Sequence, residues 1–252
     1  MDQRLYAEYA ALQDRHWWFV GRRRILSAVL GAELGGPGSR GRILDIGCGT
    51  GTMLDELGRF GDVHGVDTEP AAVEFCLDHD HPQVALYSGD RLPHADGSFD
   101  VVTMLDVIEH VDDDQTILGE ARRVLRPGGL AMITVPAYQW MWGEQDEVAH
   151  HKRRYTRPQL RDSLDRAGFD VSRAGYFNTL LFPPIAAIRG ARRLRPGPPA
   201  MRSDFNLNRP GRLNSVLARV FAGESRVVSR HDLPFGVSIL ALGAPRPDAA
   251  AG

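Results

Sequence analysis

The sequence is poor in cysteine and in long apolar segments. Its 252 residues include two cysteines, Cys48 and Cys76, too few for a disulfide framework or a four-cysteine zinc site, so free thiols in a reducing compartment are expected. No apolar run approaches the roughly 18 residues of a membrane-spanning helix. The first residues lack the basic start and apolar stretch of a secretory signal. We therefore expect a cytoplasmic protein.

Lysine is also nearly absent, since Lys152 stands alone against 29 arginines. Codon usage in a GC-rich genome explains this bias, so arginine richness is not evidence for phosphate binding. Residues 1–150 carry 12 Arg and 25 acidic residues, whereas residues 151–252 carry 18 basic and 7 acidic residues. The basic excess of residues 151–252 could favour contact with an anionic ligand or surface. A net charge of −2 nevertheless disfavours a nucleic-acid partner.

The sequence pattern predicts a regular alternation of strands and helices. Helical spacing covers residues 6–34 and stops at the breaker "GGPG". Strands are then predicted at 42–46, 63–67, 83–87, 99–105 and 130–135, with helices between them. This order predicts an α/β fold with a parallel sheet and helices on both faces. Ligands of such sheets bind beyond the carboxyl ends of the strands.

The pattern changes after Pro136. A helix is predicted at 157–167, a strand at 170–177 and a last strand at 236–244, with an insertion before it that carries an apolar run, an Arg-rich linker and a helix at 213–228. We therefore divide the chain into an N-terminal helical cap (1–38), a core (39–177 and 235–246), an α-helical insertion or lid (178–234) and a disordered tail (247–252).

The most informative stretch is "ILDIGCGTGTML", residues 43–54. An apolar strand runs directly into Gly47, Gly49 and Gly51, and glycines at such a turn let the backbone approach a ligand closely. The dinucleotide fingerprint requires a glycine where Thr52 stands, and the lysine of a phosphate-binding P-loop is missing. The loop therefore favours a ligand other than a dinucleotide or a nucleoside triphosphate.

Three acidic residues fall at the ends of the first three strands. Asp45 ends the first, Asp67 the second, and Asp90 follows the third. Asp67 lies about 20 residues after the loop, where a carboxylate can bind both hydroxyls of a ribose. Asp90 could accept from an exocyclic amine. A cationic nucleoside without phosphate suits this arrangement.

Four motifs, "LDIGCGTG", "GVD", "SGDRLPHADGSFDVV" and "LRPGG", occur in order over residues 40 to 136. Together they resemble the class I S-adenosylmethionine-dependent methyltransferases. The resemblance implies a Rossmann-like seven-stranded sheet of order 3-2-1-4-5-7-6 with the last strand antiparallel, S-adenosylmethionine as cofactor and S-adenosylhomocysteine as product. It also implies the cofactor-binding residues Asp45, Gly47, Cys48, Gly49, Asp67, Thr68, Asp90, Arg91 and Leu105.

The stretch "DVIEHV", residues 106–111, follows the fourth strand. It resembles the same place in ubiquinone-type O-methyltransferases, where a Glu and a His face the substrate and can help bind a metal. His110 is therefore a candidate base, because a histidine titrates near neutrality. A purely structural role for His110 is the alternative. We expect no metal.

A second candidate base lies in "EVAHHKRRYT", residues 147–156. The adjacent histidines lack the spacing of a zinc site, and the loop after the fifth strand is expected to cover the methyl group. We predict His151 as a base or hydrogen-bonding group. Arg154 and Tyr155 contact the substrate in this interpretation, or else anchor the next helix. Trp18 and Tyr138 are further predicted substrate contacts.

These observations favour a methyltransferase that acts on a small or lipid-like acceptor, with oxygen as the methylated atom and His151 or His110 as base. The alternatives are a non-catalytic module that binds the cofactor or a partner, and N- or C-methylation of a natural-product intermediate. Residues 180–195 combine an apolar run with arginines. They suit a lid, a homodimer contact or a peripheral contact with the inner membrane face.

Overall fold

Seven strands form one sheet in the computed structural model, which describes residues 10–38, 41–194 and 211–247 of the chain. The strands are β1 (Gly41–Ile46), β2 (Gly61–Asp67), β3 (Val84–Leu86), β4 (Phe99–Leu105), β5 (Leu125–Pro136), β6 (Phe169–Phe177) and β7 (Ser238–Pro245). Their order is β3-β2-β1-β4-β5-β7-β6. Strand β7 is antiparallel to both neighbours and the other pairs are parallel. The predicted fold is confirmed.

The order of the strands reverses between β1 and β4, which lie side by side but are far apart in the chain. In doubly wound sheets the loops at the carboxyl ends of two such strands diverge and leave a crevice for a ligand. The glycine loop follows β1, and the stretch with His110 follows β4. The topology therefore brings these two stretches to the same crevice, which we call the mouth of the site.

Besides the helical residues 10–12, nine helices lie in the described part of the chain. They are α1 (Trp17–Leu34), α2 (Leu54–Gly58), α3 (Pro70–Asp78), α4 (Asp114–Val124), α5 (Glu144–Val148), α6 (Arg157–Arg166), α7 (Phe182–Leu194), α8 (Arg212–Gly223) and α9 (Ser225–Val228), with a 3₁₀ turn at Gln139–Met141. Successive strand residues point to opposite faces. Leu44 thus belongs to a core with α4 and α6, and Ile43 to a core with α1 and α8.

The predicted N-terminal helix is interrupted, since residues 10–12 are helical and residues 13–16 are not. Helix α1 begins at Trp17, because the chain turns just before it and the His16 side chain accepts a hydrogen bond from the Trp18 amide at 3.3 Å. The two tryptophans point in different directions. Trp17 packs against Phe221 of α8, with 5.7 Å between the ring centroids, and Trp18 lies under the Arg22 guanidinium at 5.0 Å. Residues 1–9 lie outside the described part of the chain.

The insertion contains one helix that the sequence did not predict. Helix α7 covers most of the apolar run, and its Pro183 and Pro184 stand in the first turn, where proline is tolerated. Helix α8 packs on α1, where a Cβ atom on Gly21 would lie 2.3 Å from the Phe221 ring. Helix α7 also continues into the predicted Arg-rich linker as far as Leu194, and residues 195–210 and almost all of the tail lie outside the described residues. Within the described ranges, no helix has the length and apolarity needed to cross a membrane.

Candidate active site

The glycine loop adopts a conformation that other residues rarely take. Gly47, Gly49 and Gly51 have φ angles of +73°, +55° and +72°, in the region that favours glycine. A Cβ atom on Gly47 would lie 2.7 Å from Cγ2 of Val107, whereas one on Gly49 would meet nothing within 4 Å. The loop thus contacts the stretch after β4 on one side and leaves open space beside Gly49.

Asp67 is held at the edge of this loop. Its carboxylate accepts the Gly49 amide at 2.8 Å and the Glu69 amide at 2.9 Å. Burial raises the pKa of Asp67, and the backbone N–H donors of Glu69, Gly49 and Thr68 oppose that rise. The predicted ribose-binding carboxylate is therefore fixed beside the predicted glycine contacts.

The other side of the cleft carries Asp90 and Arg91, whose side chains are exposed. Thr68, at the end of β2, is close to this segment, since a Cβ atom on Gly89 would lie 3.8 Å from its methyl group. The structure thus brings the second and third predicted cofactor segments together. Leu105, at the end of β4, is partly buried against the core that includes α1.

Asp45 and Cys48 lie beneath the loop and are both buried. Burial raises the pKa of Asp45 to about 7, against the hydrogen bond from Thr103 (2.5 Å) and the charge of Arg22. The pKa of the Cys48 thiol is raised by a hydrogen bond with Cys76 and by burial. Both thiols are free, as predicted, and Cys48 supports the loop as a neutral group.

The segment before α1 contacts the glycine loop through Gln13, a residue that was not predicted from the sequence. The side-chain oxygen of Gln13 accepts hydrogen bonds from the hydroxyl groups of Thr50 at 2.7 Å and Thr52 at 2.6 Å. Arg22 of α1 also reaches the mouth and forms a salt bridge of 2.8 Å with Asp106 after β4. The N-terminal segment therefore contacts both the glycine loop and the stretch after β4.

Residues that follow three of the strands have positive φ angles without being glycine. They are Asp106 (+61°), Tyr138 (+58°) and Asn178 (+59°), after β4, β5 and β6. Such conformations cost free energy and are found preferentially at functional sites. All three strands end at the carboxyl edge of the sheet, so the strained positions surround the predicted mouth.

Three ionisable side chains meet behind Val107. Glu109 is fully buried, and the rings of His110 and His151 pack edge to face with 4.7 Å between centroids. Burial raises the pKa of Glu109 well above its usual range, and the negative charge of Asp106 adds to the rise. Burial likewise lowers the pKa of His110 to about 4. The structure thus joins the two predicted bases in one cluster.

Asp146, on α5, organises the loop after β5. Its carboxylate accepts from Nδ1 of His151 at 2.8 Å and binds Arg154 through two contacts of 2.7 and 3.0 Å. Burial alone would raise the pKa of Asp146, but the hydrogen bond with His151 and the charge of Arg154 outweigh it and hold the pKa at about 2. Asp146 is therefore a carboxylate anion, and it orients the His151 ring through the hydrogen bond.

Arg154 and Tyr155 are buried, and their polar groups have partners inside the protein. Arg154 also donates to the carbonyl of Ala137 at 3.0 Å, and the Tyr155 hydroxyl donates to Asp114 at 3.1 Å. These contacts favour the anchoring role over substrate contact. Tyr138 is different, because it belongs to an aromatic cluster at the mouth with Trp140, Tyr176, Phe182 and Phe235.

A family model described as "Methyltransferase domain" matches residues 44–133, the stretch from β1 to β5 that contains the glycine loop and Asp67. This part of the chain is a class I methyltransferase domain. The cofactor implied by that family is S-adenosylmethionine, and two features described above fit it: the Asp67 carboxylate, an acceptor fixed at the edge of the loop, and the open space beside Gly49.

Proteins similar to this chain include two named methyltransferases. The ubiquinone biosynthesis O-methyltransferase of Pectobacterium atrosepticum is 30% identical over 162 residues, which cover 56% of this chain and 65% of that protein. A probable S-adenosylmethionine-dependent methyltransferase of Mycolicibacterium smegmatis is 30% identical over 64% of this chain and 62% of its own length. The chain thus spans less than two thirds of these relatives.

Among solved structures, the fold is similar to one chain of a Haloferax volcanii complex between the methyltransferase activator Trm112 and a methyltransferase. The TM-score is 0.63 at 20% identity, and the match covers 98% of this chain and 96% of that chain. At this identity the likeness shows the fold alone.

Proposed function

We propose that the protein transfers a methyl group from S-adenosylmethionine to an oxygen atom of a small or lipid-like acceptor, with His151 as base. The observation that carries this proposal is the position of the two histidines relative to the glycine loop. Val107 contacts Gly47 of the cofactor loop, and three residues later His110 packs against His151. The methyl donor and the proton acceptor therefore share one mouth.

S-adenosylmethionine already carries its leaving group, so the protein has to align the two reactants and remove a proton from the acceptor. Alignment alone can supply a large part of the rate enhancement. Gly47, Gly49 and Asp67 hold the cofactor in this account. We further propose that Asp45 shapes the loop near the cofactor's amino group and that Asp90 and Arg91 lie beside the adenine.

His151 suits the base role better than His110. Its Nδ1 atom is bonded to the Asp146 carboxylate, so the proton sits on Nδ1 and the Nε2 lone pair is left to accept a proton. His110 has a pKa lowered to about 4, which makes it a weak base at neutral pH. In this account His110 packs against His151 and keeps its ring in place.

The insertion and the aromatic cluster suit an acceptor with an apolar part. Trp140, Leu180, Ile188 and Phe235, here called the apolar rim, are large apolar residues with exposed side chains, and Phe182 lies between Trp140 and Phe235. We propose that the rim guides a lipid-like acceptor from the inner membrane face to the mouth of a cytoplasmic enzyme. Exposed aromatic residues near arginines are typical of interfacial contacts.

The activity is tested with S-adenosylmethionine carrying a labelled methyl group and with bacterial small-molecule and lipid extracts as acceptors. We expect label in an organic-soluble product that resists alkaline hydrolysis, as a methyl ether does. If the wild-type protein binds the cofactor but labels no component of any extract, methyl transfer is refuted. Label on nitrogen or carbon would refute the assignment to oxygen.

The membrane contact is tested by flotation with phosphatidylglycerol vesicles. We expect the wild-type protein to float with the vesicles and a Trp140→Ser, Leu180→Ser, Phe235→Ser variant to stay at the bottom. Equal flotation of both proteins, or none of either, refutes the contact. A concentration-dependent elution volume that the same variant abolishes would assign the rim to a homodimer instead.

A further inference from the structure

Helix α7 of the insertion lies on the loop after β5 and contacts it near its start and again two turns later. The Phe182 ring packs near Tyr138 and Trp140, with centroid distances of 5.7 and 6.1 Å. Seven residues later, Arg189 reaches Asp146 of α5, with 3.6 Å between Nη1 and Oδ2. Residues seven apart lie on the same face of a helix. This face of α7 is therefore turned towards the loop that carries the candidate base.

The ion pair between Arg189 and Asp146 is enclosed by the protein. Asp146 is fully buried, and the side chain of Arg189 is 12% exposed. The guanidinium lies against Gly143, where a Cβ atom would be 1.7 Å from Nη1 of Arg189. Gly143 has an extended backbone with a φ angle of −158°, which other residues also adopt. The missing side chain at this position therefore serves to leave room for the guanidinium.

The two carboxylate oxygens of Asp146 have different partners. Oδ1 accepts from Nδ1 of His151 at 2.8 Å and from Nε of Arg154 at 2.7 Å. Oδ2 accepts from the Gly143 amide at 2.8 Å and from Nη2 of Arg154 at 3.0 Å. Arg189 approaches this second oxygen. Because a carboxylate is a rigid plane, a contact that fixes Oδ2 also fixes Oδ1, and Arg189 thus acts on His151 through Asp146.

We propose that Arg189 is a positioning residue for methyl transfer, which links the position of α7 to the orientation of the His151 ring. Charges attract more strongly in a buried site than in water, because the surroundings screen them less. With α7 on the loop, Arg189 gives Oδ2 of Asp146 a second cation and restrains the carboxylate that holds the ring. With α7 displaced, that restraint is lost. The acceptor therefore meets an aligned base only when the insertion covers it.

This inference rests on the proposed function in one respect, which is the role of His151 as the base. The link between α7 and the His151 ring does not itself require methyl transfer. One experiment therefore examines the ring without donor or acceptor, and a second measures the reaction.

The first experiment records the nitrogen NMR shifts of the His151 ring in the full chain labelled with ¹⁵N-histidine, with His151→Ala to assign the signals. We expect Arg189→Met, which keeps the length of the side chain but not its charge, to change these shifts. Gly143→Ala should change them in the same direction, because the new methyl group displaces the guanidinium. Arg192→Met is the matched control on the same helix, since Arg192 is exposed, and it should leave the shifts unchanged.

The second experiment measures initial rates with the labelled donor. Arg189→Met should lower kcat about tenfold, and Arg189→Lys, which restores the charge, should recover part of that loss. Binding of S-adenosylhomocysteine should stay as in the wild type. Gly143→Ala combined with Arg189→Met should lose no more than Arg189→Met alone, because both substitutions remove the same contact.

The proposal is overturned if the His151 shifts are the same in the wild type, Arg189→Met and Gly143→Ala, with circular dichroism showing that all three are folded. It is also overturned if Arg189→Met keeps the wild-type kcat, or if the losses of the two substitutions add. Altered His151 shifts in a protein that transfers no methyl group would refute the proposed function and leave the link between α7 and His151 standing.

Discussion

Nδ1 of His151 lies 2.8 Å from Oδ1 of Asp146, and both residues come from the loop after β5. The same carboxylate accepts the Gly143 amide at 2.8 Å and binds the buried Arg154. Arg189, on helix α7 of the insertion, approaches it to 3.6 Å. One buried anion therefore joins the candidate base, the loop that carries it and the insertion above it.

Asp146→Asn should destabilise the protein, because it leaves the buried Arg154 without its counter-charge. Breaking a buried ion pair on one side costs about 3–5 kcal/mol. Urea unfolding should show a loss of that size in the free energy of unfolding, whereas Glu144→Gln on the same helix should change it by no more than about 0.5 kcal/mol. Equal stabilities for the two variants would show that Asp146 does not hold the loop.

His151→Ala should lower the rate of methyl transfer about 100-fold or more, the usual effect of removing a general base. The matched variant His150→Ala should keep wild-type turnover. The measurement is the initial rate with the labelled donor and an acceptor found in the extracts. If His151→Ala loses no more than twofold, His151 has no part in removing the proton.

Gly47→Ala should disrupt the cofactor loop in two ways. The φ angle of +73° is unfavourable for alanine, and the new methyl group would meet Val107 at 2.7 Å. We expect a loss of roughly 1–3 kcal/mol of stability and at least tenfold weaker binding of S-adenosylhomocysteine. Gly58→Ala is the control, since nothing lies within 4 Å of its Cβ position. Equal binding by both variants would contradict the close contact at Gly47.

His16 predicts a pH dependence of stability. Burial lowers its pKa from 6.5 to about 4, so the folded protein prefers the neutral ring. Unfolding then takes up a proton, and this contribution to stability is present above pH 6.5 and is lost as the pH falls towards 4. The slope approaches about 1.4 kcal/mol per pH unit for one proton.

His16→Asn separates this titration from the helix cap. Asparagine can still accept from the Trp18 amide but does not titrate in this range. Urea unfolding at several pH values should therefore show a flatter loss of stability between pH 6.5 and 4 for the variant than for the wild type. If the free energy of unfolding falls equally with pH in both proteins, His16 is not the source of the pH dependence.

The succession of strands and helices and the glycine loop could be predicted because they depend on local patterns, whereas the order of the strands in the sheet came from the resemblance to a known family. Apolar strands, the glycines after Ile46 and the spacing to Asp67 lie within one βαβ unit, and the family motifs supplied the rest of the sheet. Helix α7 was missed because Pro183 and Pro184 look like breakers unless the helix is known to begin beside them.

The partners inside the site could not be predicted, because they join distant parts of the chain. Gln13 forms hydrogen bonds with Thr50 and Thr52, which lie 37 and 39 residues away in the chain. No sequence pattern predicts such a contact. The role of Asp146 was also missed, although it stands five residues before His151, because an acid on a short helix reads as a solvated residue. Only the fold shows that it is buried.

Calorimetric titration with S-adenosylhomocysteine tests most directly whether the glycine loop and Asp67 bind the methyl donor. We predict one site per chain in the wild type. Asp67→Asn should bind about 10- to 100-fold more weakly, as expected for the loss of a charged hydrogen-bond acceptor, and Asp62→Asn, on the same strand, should bind as the wild type does. No binding by the folded wild type, or unchanged binding by Asp67→Asn, would contradict the account.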